Sequence, residues 1–434
     1  MIRTGKRLSK LRLEALEDRS VPAVHTWDAG GSSLNWSDAG NWDAAGPPTS
    51  NEPGGTFVVF PIDDITTIQN IPNLSLAGIT FSNPTGIQIR LDQPLTIDND
   101  ANNPNIANLS GTNRIFNGSL IQSGNLPIAI EVSGGTLTID SEITGTQGME
   151  KQGTGTLRLG GASTYSGVTT IGNGGIVATS ATAFGTSTVQ LGFVGIPANI
   201  DTFALVDSTA NLTIANTFNS FDDGGTIGSV DNGSAPDINF TGAIFTNDNQ
   251  LHLQAGSQDR TIFSGQITGP GSITATATAA GRRIVLDNDT ANPNDFSGGI
   301  VRIENGAVLQ LTVSTNAEQI PDAATVTLVG AGSTLRLFEV DETIAGLTST
   351  AGNRVVDASG AGSTLTLLRR LDQRRRKHAE PGQARNRRAD TPRPHRHRWI
   401  HPSHEWRSRS GECGEQRRRH RVRGRRPARH GHDQ

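Results

Sequence analysis

From about residue 65 to residue 368 the sequence alternates short runs of Thr, Val, Ile and Leu with clusters of Gly, Asn and Asp. Gly78–Ser82, Gly86–Leu91, Leu95–Asp98, Gly135–Ile139, Thr156–Leu159, Val168–Ile171, Gly175–Ala178 and Thr188–Leu191 are runs of this kind. β-Branched residues fit a pleated surface, while Gly, Asn and Asp supply the positive φ angles and local hydrogen bonds of turns. Runs of four to six residues between turn signals predict an all-β chain. Only residues 7–17 carry a helical spacing, so a helical fold is excluded.

The sequence also repeats itself. Ile143-Thr144-Gly145 matches Ile267-Thr268-Gly269, and Tyr165-Ser166-Gly167 matches Phe296-Ser297-Gly298, with seven extra residues between the anchors in the second copy. GAGSTLRL at 330–337 returns as GAGSTLTL at 360–367, a shorter echo of the 330–349 unit. Copies that tolerate inserts are the mark of stacked repeats, in which an insertion becomes a loop on one face. The physics of the unit agrees. Gly153 and Gly155 allow a sharp corner, after which Leu157 and Leu159 face one side and Thr156 and Arg158 the other. Tyr165 can fill a corner before Gly167 turns the chain again. No such rung is stable alone, and stacking supplies the core.

Lys151-Gln152-Gly153-Thr154-Gly155-Thr156-Leu157-Arg158-Leu159, followed by Gly161 to Ile171, resembles the autotransporter-associated β-strand repeat. Arg158, and Ser163 in an Asn position, depart from that pattern. The unit at 330–349 is similar to the companion segment that follows such repeats. The resemblance implies a right-handed parallel β-helix or similar β-solenoid over residues 25–368, in a bacterial cell-surface or secreted protein. Its role would be structural or adhesive. Residues 16–23, LEDRSVPA, resemble the leader of some large bacterial surface proteins, so residues 1–24 are read as leader-like although the apolar core of an ordinary signal is missing.

Residues 25–64 hold Trp27, Trp36 and Trp42 in a Gly/Asn/Asp/Ser background. A first rung has no neighbour on one side, so an aromatic cap is expected there. The sharper alternative is a carbohydrate-stacking platform, which would make this a carbohydrate-binding or carbohydrate-active protein. Extracellular polysaccharide or other surface proteins are the partners these readings admit.

The net charge of −3 averages two unlike regions. Residues 1–368 carry 16 Lys and Arg against 34 Asp and Glu, whereas residues 369–434 carry 22 against 7. The acidic body argues against nucleic acid. The basic tail begins abruptly after GSTLTL. Read one nucleotide later, back-translated residues 369–391 permit K-x-G-T-G-x-L-T-L, the register of 151–159. The tail is therefore read as frameshifted, disordered as made, with no selected role for Trp399, Trp406 or Cys413. With Cys413 as the single cysteine, no intrachain disulfide can form.

No catalytic, cofactor-binding or metal-binding residue is expected. The acidic doublets Asp63-Asp64, Asp98/Asp100, Asp222-Asp223 and Asp341-Glu342 read as turn chemistry, since adjacent strand residues face opposite sides. Asp207, Asp231 and Asp237 are weak candidates in Asn/Gly-rich loops, and His25 and His252 are the body's histidines. P-loop, GxSxG, HExxH and CxxC motifs are absent, as is a run apolar enough for a membrane helix.

Overall fold

The computed structural model describes residues 21–98, 105–193, 202–221, 224–247, 249–257, 259–289, 291–312, 318–350, 352–357 and 363–368. The basic tail, most of the leader, Asp100, Asp222 and Asp223 lie outside the described residues. Residues 1–371 form one compact unit.

Among the described residues every strand pairs with its neighbours in parallel, so the chain winds as a β-solenoid with three sides. Side one is an 11-stranded sheet running from Ala23–Thr26 to Ile267–Thr268. Side two is a 13-stranded sheet from Ile65–Gln69 to Gly346–Ser349. Side three begins as four strands, Leu74–Leu76 to Glu142–Thr144, and resumes as seven, Leu212–Ile214 to Arg354–Asp357. A two-stranded sheet, Glu342–Ile344 with Leu365–Leu367, closes the array. The only helical turn among the described residues is a 3-10 turn, Ala39–Asn41.

Alternation decides which side chains enter. In Thr156–Leu159, Leu157 and Leu159 are buried while Thr156 and Arg158 are partly exposed. Stacked in register, Leu137, Leu157 and Ile176 belong to one core that runs unbroken from Trp27 to Ile344. Coil length varies from nineteen residues, Leu157 to Ile176, to thirty-three, Ala23 to Thr56. The ladder stays constant while the corners absorb the difference.

Glycines stack at the corner between sides one and two. Gly111, Gly135 and Gly174 all have positive φ there, at 76°, 69° and 60°. A Cβ on Gly135 would lie 2.0 Å from the Gly111 carbonyl oxygen of the coil below. Gly155 differs from the sequence expectation. The positive φ of its pair belongs to Gly153, at 74°, whereas a Cβ on Gly155 would press into Val132 at 2.7 Å. Gly135→Ala is expected to cost more than the roughly 1–2 kcal/mol of left-handed backbone strain alone, because the neighbouring carbonyl cannot yield without breaking its ladder. Chemical denaturation reads this directly, and an unchanged midpoint would contradict the corner's geometry.

The two copies of the internal repeat do not occupy the same sides. Ile143 lies on side three and Ile267 on side one. Thr156–Leu159 of the first copy is on side two, and its counterpart Arg283–Leu286 is on side three. The second copy is laid down one side later. The extra residues are also split, part before Arg283 and part before Phe296, rather than collected in one loop.

Candidate functional site

The N-terminal tryptophans are built into the end of the stack. Ala23–Thr26 pairs with Thr56–Phe60 as the first rung of side one, and Asn35 bridges to Ile68 at the open edge of side two. Asp38 shapes the loop between, accepting from the Ser32, Ser33 and Gly40 amides at 3.1 Å each. Those bonds, the Gly40 amide first, hold its carboxyl below the usual range. Buried Asn41 donates to the Ser33 and Asn35 carbonyls. The loop thus folds Trp27, Trp36 and Trp42 inward.

Their exposures are 0%, 0% and 4%. Trp27 and Trp36 meet Trp42 edge-on at 5.0 and 5.7 Å, and Trp36 lies 5.5 Å from Phe60, which stacks on Phe81. Trp36 Nε1 donates to Thr67 Oγ1 at 3.0 Å, and Trp42 Nε1 to the Trp36 carbonyl at 2.7 Å. A ring buried on both faces cannot stack on a sugar, so the carbohydrate-platform alternative fails on these residues. His25 is equally structural, joined to the Gly46 carbonyl at 2.7 Å and to Glu52 at 3.0 Å.

The acidic candidates tie coils together. Asp63 accepts from the Thr85 and Gly86 amides one coil on, which hold its carboxyl low, Thr85 foremost. Asp64, at φ 55°, bonds Thr85 Oγ1. Asp207 joins Arg158 at 2.6 Å and Asn232 at 2.7 Å, and Asp231 joins Arg282 at 2.9 Å. Asp237 takes both arms of Arg260. Asp98 ends its strand exposed, and His252 stands in the outward row between Thr226 and Thr274. These residues are spread along the solenoid and do not converge. No group of three or more His, Cys, Asp or Glu among the described residues could hold a metal.

Asp341 and Glu342 separate as alternation requires. Asp341 is exposed and accepts from the Thr364 amide at 2.8 Å, whereas Glu342 turns inward. Glu342 ends a buried polar ladder that sequence reading missed. Among the described residues of 287–299 and 318–324, side one carries no strand. There the Gln319 side chain replaces a strand: its Nε2 donates to the Asn288 carbonyl at 3.0 Å and its Oε1 accepts from the Asn288 amide at 3.1 Å. Asn294 accepts from the Ile267 amide on one side and donates to the Gln319 carbonyl on the other. Glu342 Oε2 accepts from the Gln319 amide at 3.2 Å. Side-chain amides therefore carry the hydrogen bonding across coils where the backbone ladder lapses. Asn and Gln scattered in loops give no spacing from which this could be read.

The most organised segment is 149–178. Lys151 is fully buried, and its ammonium donates to the Gln152, Gly153 and Asn173 carbonyls at 2.8, 2.7 and 3.1 Å. Those oxygens belong to the corner that Gly153 opens. Burial pushes the ammonium down to about 8, with Glu131 opposing. Buried Tyr165 bonds Thr169 Oγ1 at 2.7 Å, which bonds Ser187 Oγ at 2.8 Å. Burial pushes the phenol up to about 12. Lys151 and Tyr165 here thus fasten corners of the coil.

Residues 149–178 match the passenger-associated-transport-repeat. The segment is an autotransporter-associated repeat. The repeat supplies two consecutive coils, the strands Met149–Gln152 and Thr156–Leu159 and then Thr169–Ile171 and Gly175–Ala178. An adhesin of Brucella suis biovar 1 (strain 1330), the BmaC autotransporter, is 28% identical over 272 residues, which covers 61% of this chain and 7% of that protein. The chain thus spans a small part of the relative's length. No solved structure matches.

Lys151→Met tests the corner within the repeat. It removes the donor from three carbonyls and is expected to cost about 1–3 kcal/mol. The pH dependence is the stricter readout. Because the folded ammonium titrates near 8 and the unfolded one near 10.5, the burial penalty is full below pH 8 and fades as pH rises towards 10.5. Wild-type stability should therefore gain over that window relative to the variant. Parallel curves would contradict the buried ammonium.

Proposed function

We propose that this chain is a stiff, elongated segment of a bacterial cell-surface or secreted protein, acting as a structural or adhesive scaffold rather than as an enzyme. One observation carries the reading: the parallel ladder of side two continues through all 13 strands. At about 4.8 Å per strand such a ladder spans about 58 Å, with side chains buried only through neighbouring coils. The structure suits holding other regions at a distance. The autotransporter-associated repeat and the likeness to an adhesin support the surface setting. No helix among the described residues is long and apolar enough to cross a membrane.

In this reading the leader-like segment 1–24 directs export, and the array continues in a shifted frame beyond residue 368. Sequencing across codons 360–400 checks the second point. The function itself is tested by labelling intact producing cells with a membrane-impermeant biotin reagent, then measuring attachment of beads coated with the purified chain. Labelled chain and attachment above that of uncoated beads are expected. A chain recovered only from the unlabelled interior of the cells would refute the surface role.

A further inference from the structure

The body between residues 25 and 368 contains 10 basic side chains against 31 carboxylates, so each cation has acids to spare. Six arginines are indeed paired: Arg90, Arg114, Arg158, Arg260, Arg282 and Arg302. Lys151 is bound to carbonyls. The remaining three, Arg283, Arg336 and Arg354, form no ion pair among the described residues. They are not scattered. All three lie on side three, within four consecutive strands, Arg283–Leu286, Val308–Thr312, Thr334–Phe338 and Arg354–Asp357.

Register places them together. Arg283 is aligned through Val308 and Thr334 with Arg354, while Arg336 stands two residues along from Thr334. Ile284, Leu286, Leu335 and Leu337 fill the core, so the alternate positions, the arginines among them, face outward. At about 4.8 Å per strand the strip spans about 14 Å along the solenoid axis. Burial, with Arg336 and Arg260 as cationic neighbours, lowers the Arg283 guanidinium below its ordinary range. Asp237 and Asp259 oppose this, but Asp237 is already bound to Arg260. Asp287 borders the same side, and burial raises its carboxyl, with Arg260 opposing, but it forms no ion pair with the three arginines. Between the arginines Gln310 is 5% exposed, and its Oε1 has no partner. In an acidic protein, like charges held together without a salt-bridge partner are a cost that an anionic partner relieves.

We propose that Arg283, Arg336 and Arg354 form a docking strip for an extended, carboxylate-rich segment of a partner protein. The guanidinium fork matches a carboxylate with two parallel hydrogen bonds. The apolar, partly exposed Val308 between the cations suits the aliphatic side chains of a peptide. A sugar polymer fits less well, because stacking needs an open aromatic face and Phe338, at the end of its strand, is half-buried. The proposal deepens the scaffold reading and relies on it only for where the partner is met.

The test labels arginines of the full chain with a dicarbonyl reagent, with and without poly-L-glutamate, and reads each site by mass spectrometry. Site-by-site reading keeps the basic 369–434 region from confusing the result. Labelling of Arg283, Arg336 and Arg354 should fall several-fold, with Arg90 and Arg302 unchanged. The triple variant Arg283→Gln/Arg336→Gln/Arg354→Gln should bind the polymer at these coils about tenfold more weakly, with the thermal midpoint retained. If the triple variant does not fold, Arg354→Gln alone, at the most exposed of the three, decides. Unchanged labelling overturns the proposal, and stronger protection by polygalacturonate than by polyglutamate overturns it in favour of an acidic glycan. Absence of the chain from the cell surface would remove the scaffold reading and leave these labelling ratios as they are.

Discussion

Trp36→Ala is expected to lower stability by about 3–5 kcal/mol, the range for truncating a large buried aromatic side chain. Trp36 has no exposed surface and touches both Trp42 and Phe60. It also satisfies Thr67 through its indole nitrogen, and its carbonyl receives the Trp42 indole. Removing it opens the first coil to water at an end where no further described coil covers it. In stacked proteins such damage stays near its origin before it spreads. Hydrogen exchange should therefore show lost protection first in Thr56–Phe60 and Gly78–Phe81, with the coils around residues 250–300 still protected. Uniform exchange throughout would mean that the tryptophans do not cap the array.

Glu342 gives the second large effect, and it depends on pH. Burial pushes its carboxyl up to about 8 against an ordinary 4.5, with the Gln319, Ile320 and Thr343 amides opposing and Glu318 adding to the rise. The folded chain thus keeps a proton that the unfolded chain has released between about 4.5 and about 8. The stabilisation is fully present below pH 4.5 and is lost as pH rises through 8, by on the order of a few kcal/mol. Glu342→Gln keeps a neutral side chain with an acceptor for the Gln319 amide and cannot ionise. It should abolish this slope and stabilise the last coils at pH 8. The readout is exchange of the Thr334–Phe338 and Gly346–Ser349 amides between pH 5 and pH 8. A variant with the wild-type slope would show that another group is responsible.

The strands were readable from residue types because each must bury alternate aliphatics and end at a turn. Leu95–Asp98, Thr156–Leu159 and Gly175–Ala178 are found with the expected bounds. Gly86–Leu91 and Val168–Ile171 each begin one residue later, at Ile87 and Thr169. The burial of the three tryptophans was legible too, since an unpaired first rung needs apolar cover. The polar ladder of Asn288, Asn294, Gln319 and Glu342 was not. Asn and Gln in loops are common, and only the path of the backbone reveals which face a missing strand. Nor was the arginine strip legible, because Arg283, Arg336 and Arg354 are far apart in sequence and meet only through the winding. Among the acidic doublets, alternation correctly parted Asp341 from Glu342, yet gave no hint that one would be buried.

The displaced position of the second copy bears on how such a chain grows. If duplicated material had to fill a full circuit, its copies would return to the same sides, and Ile267 would sit above Ile143. It does not, so the piece that can be added is a strand with its corner, about a third of a circuit. Each side asks only for alternate aliphatics at a fixed spacing from the strand beneath, and any such piece meets that demand wherever it lands. An inherited array of this kind can lengthen in increments shorter than its own pitch without losing continuity of its interior.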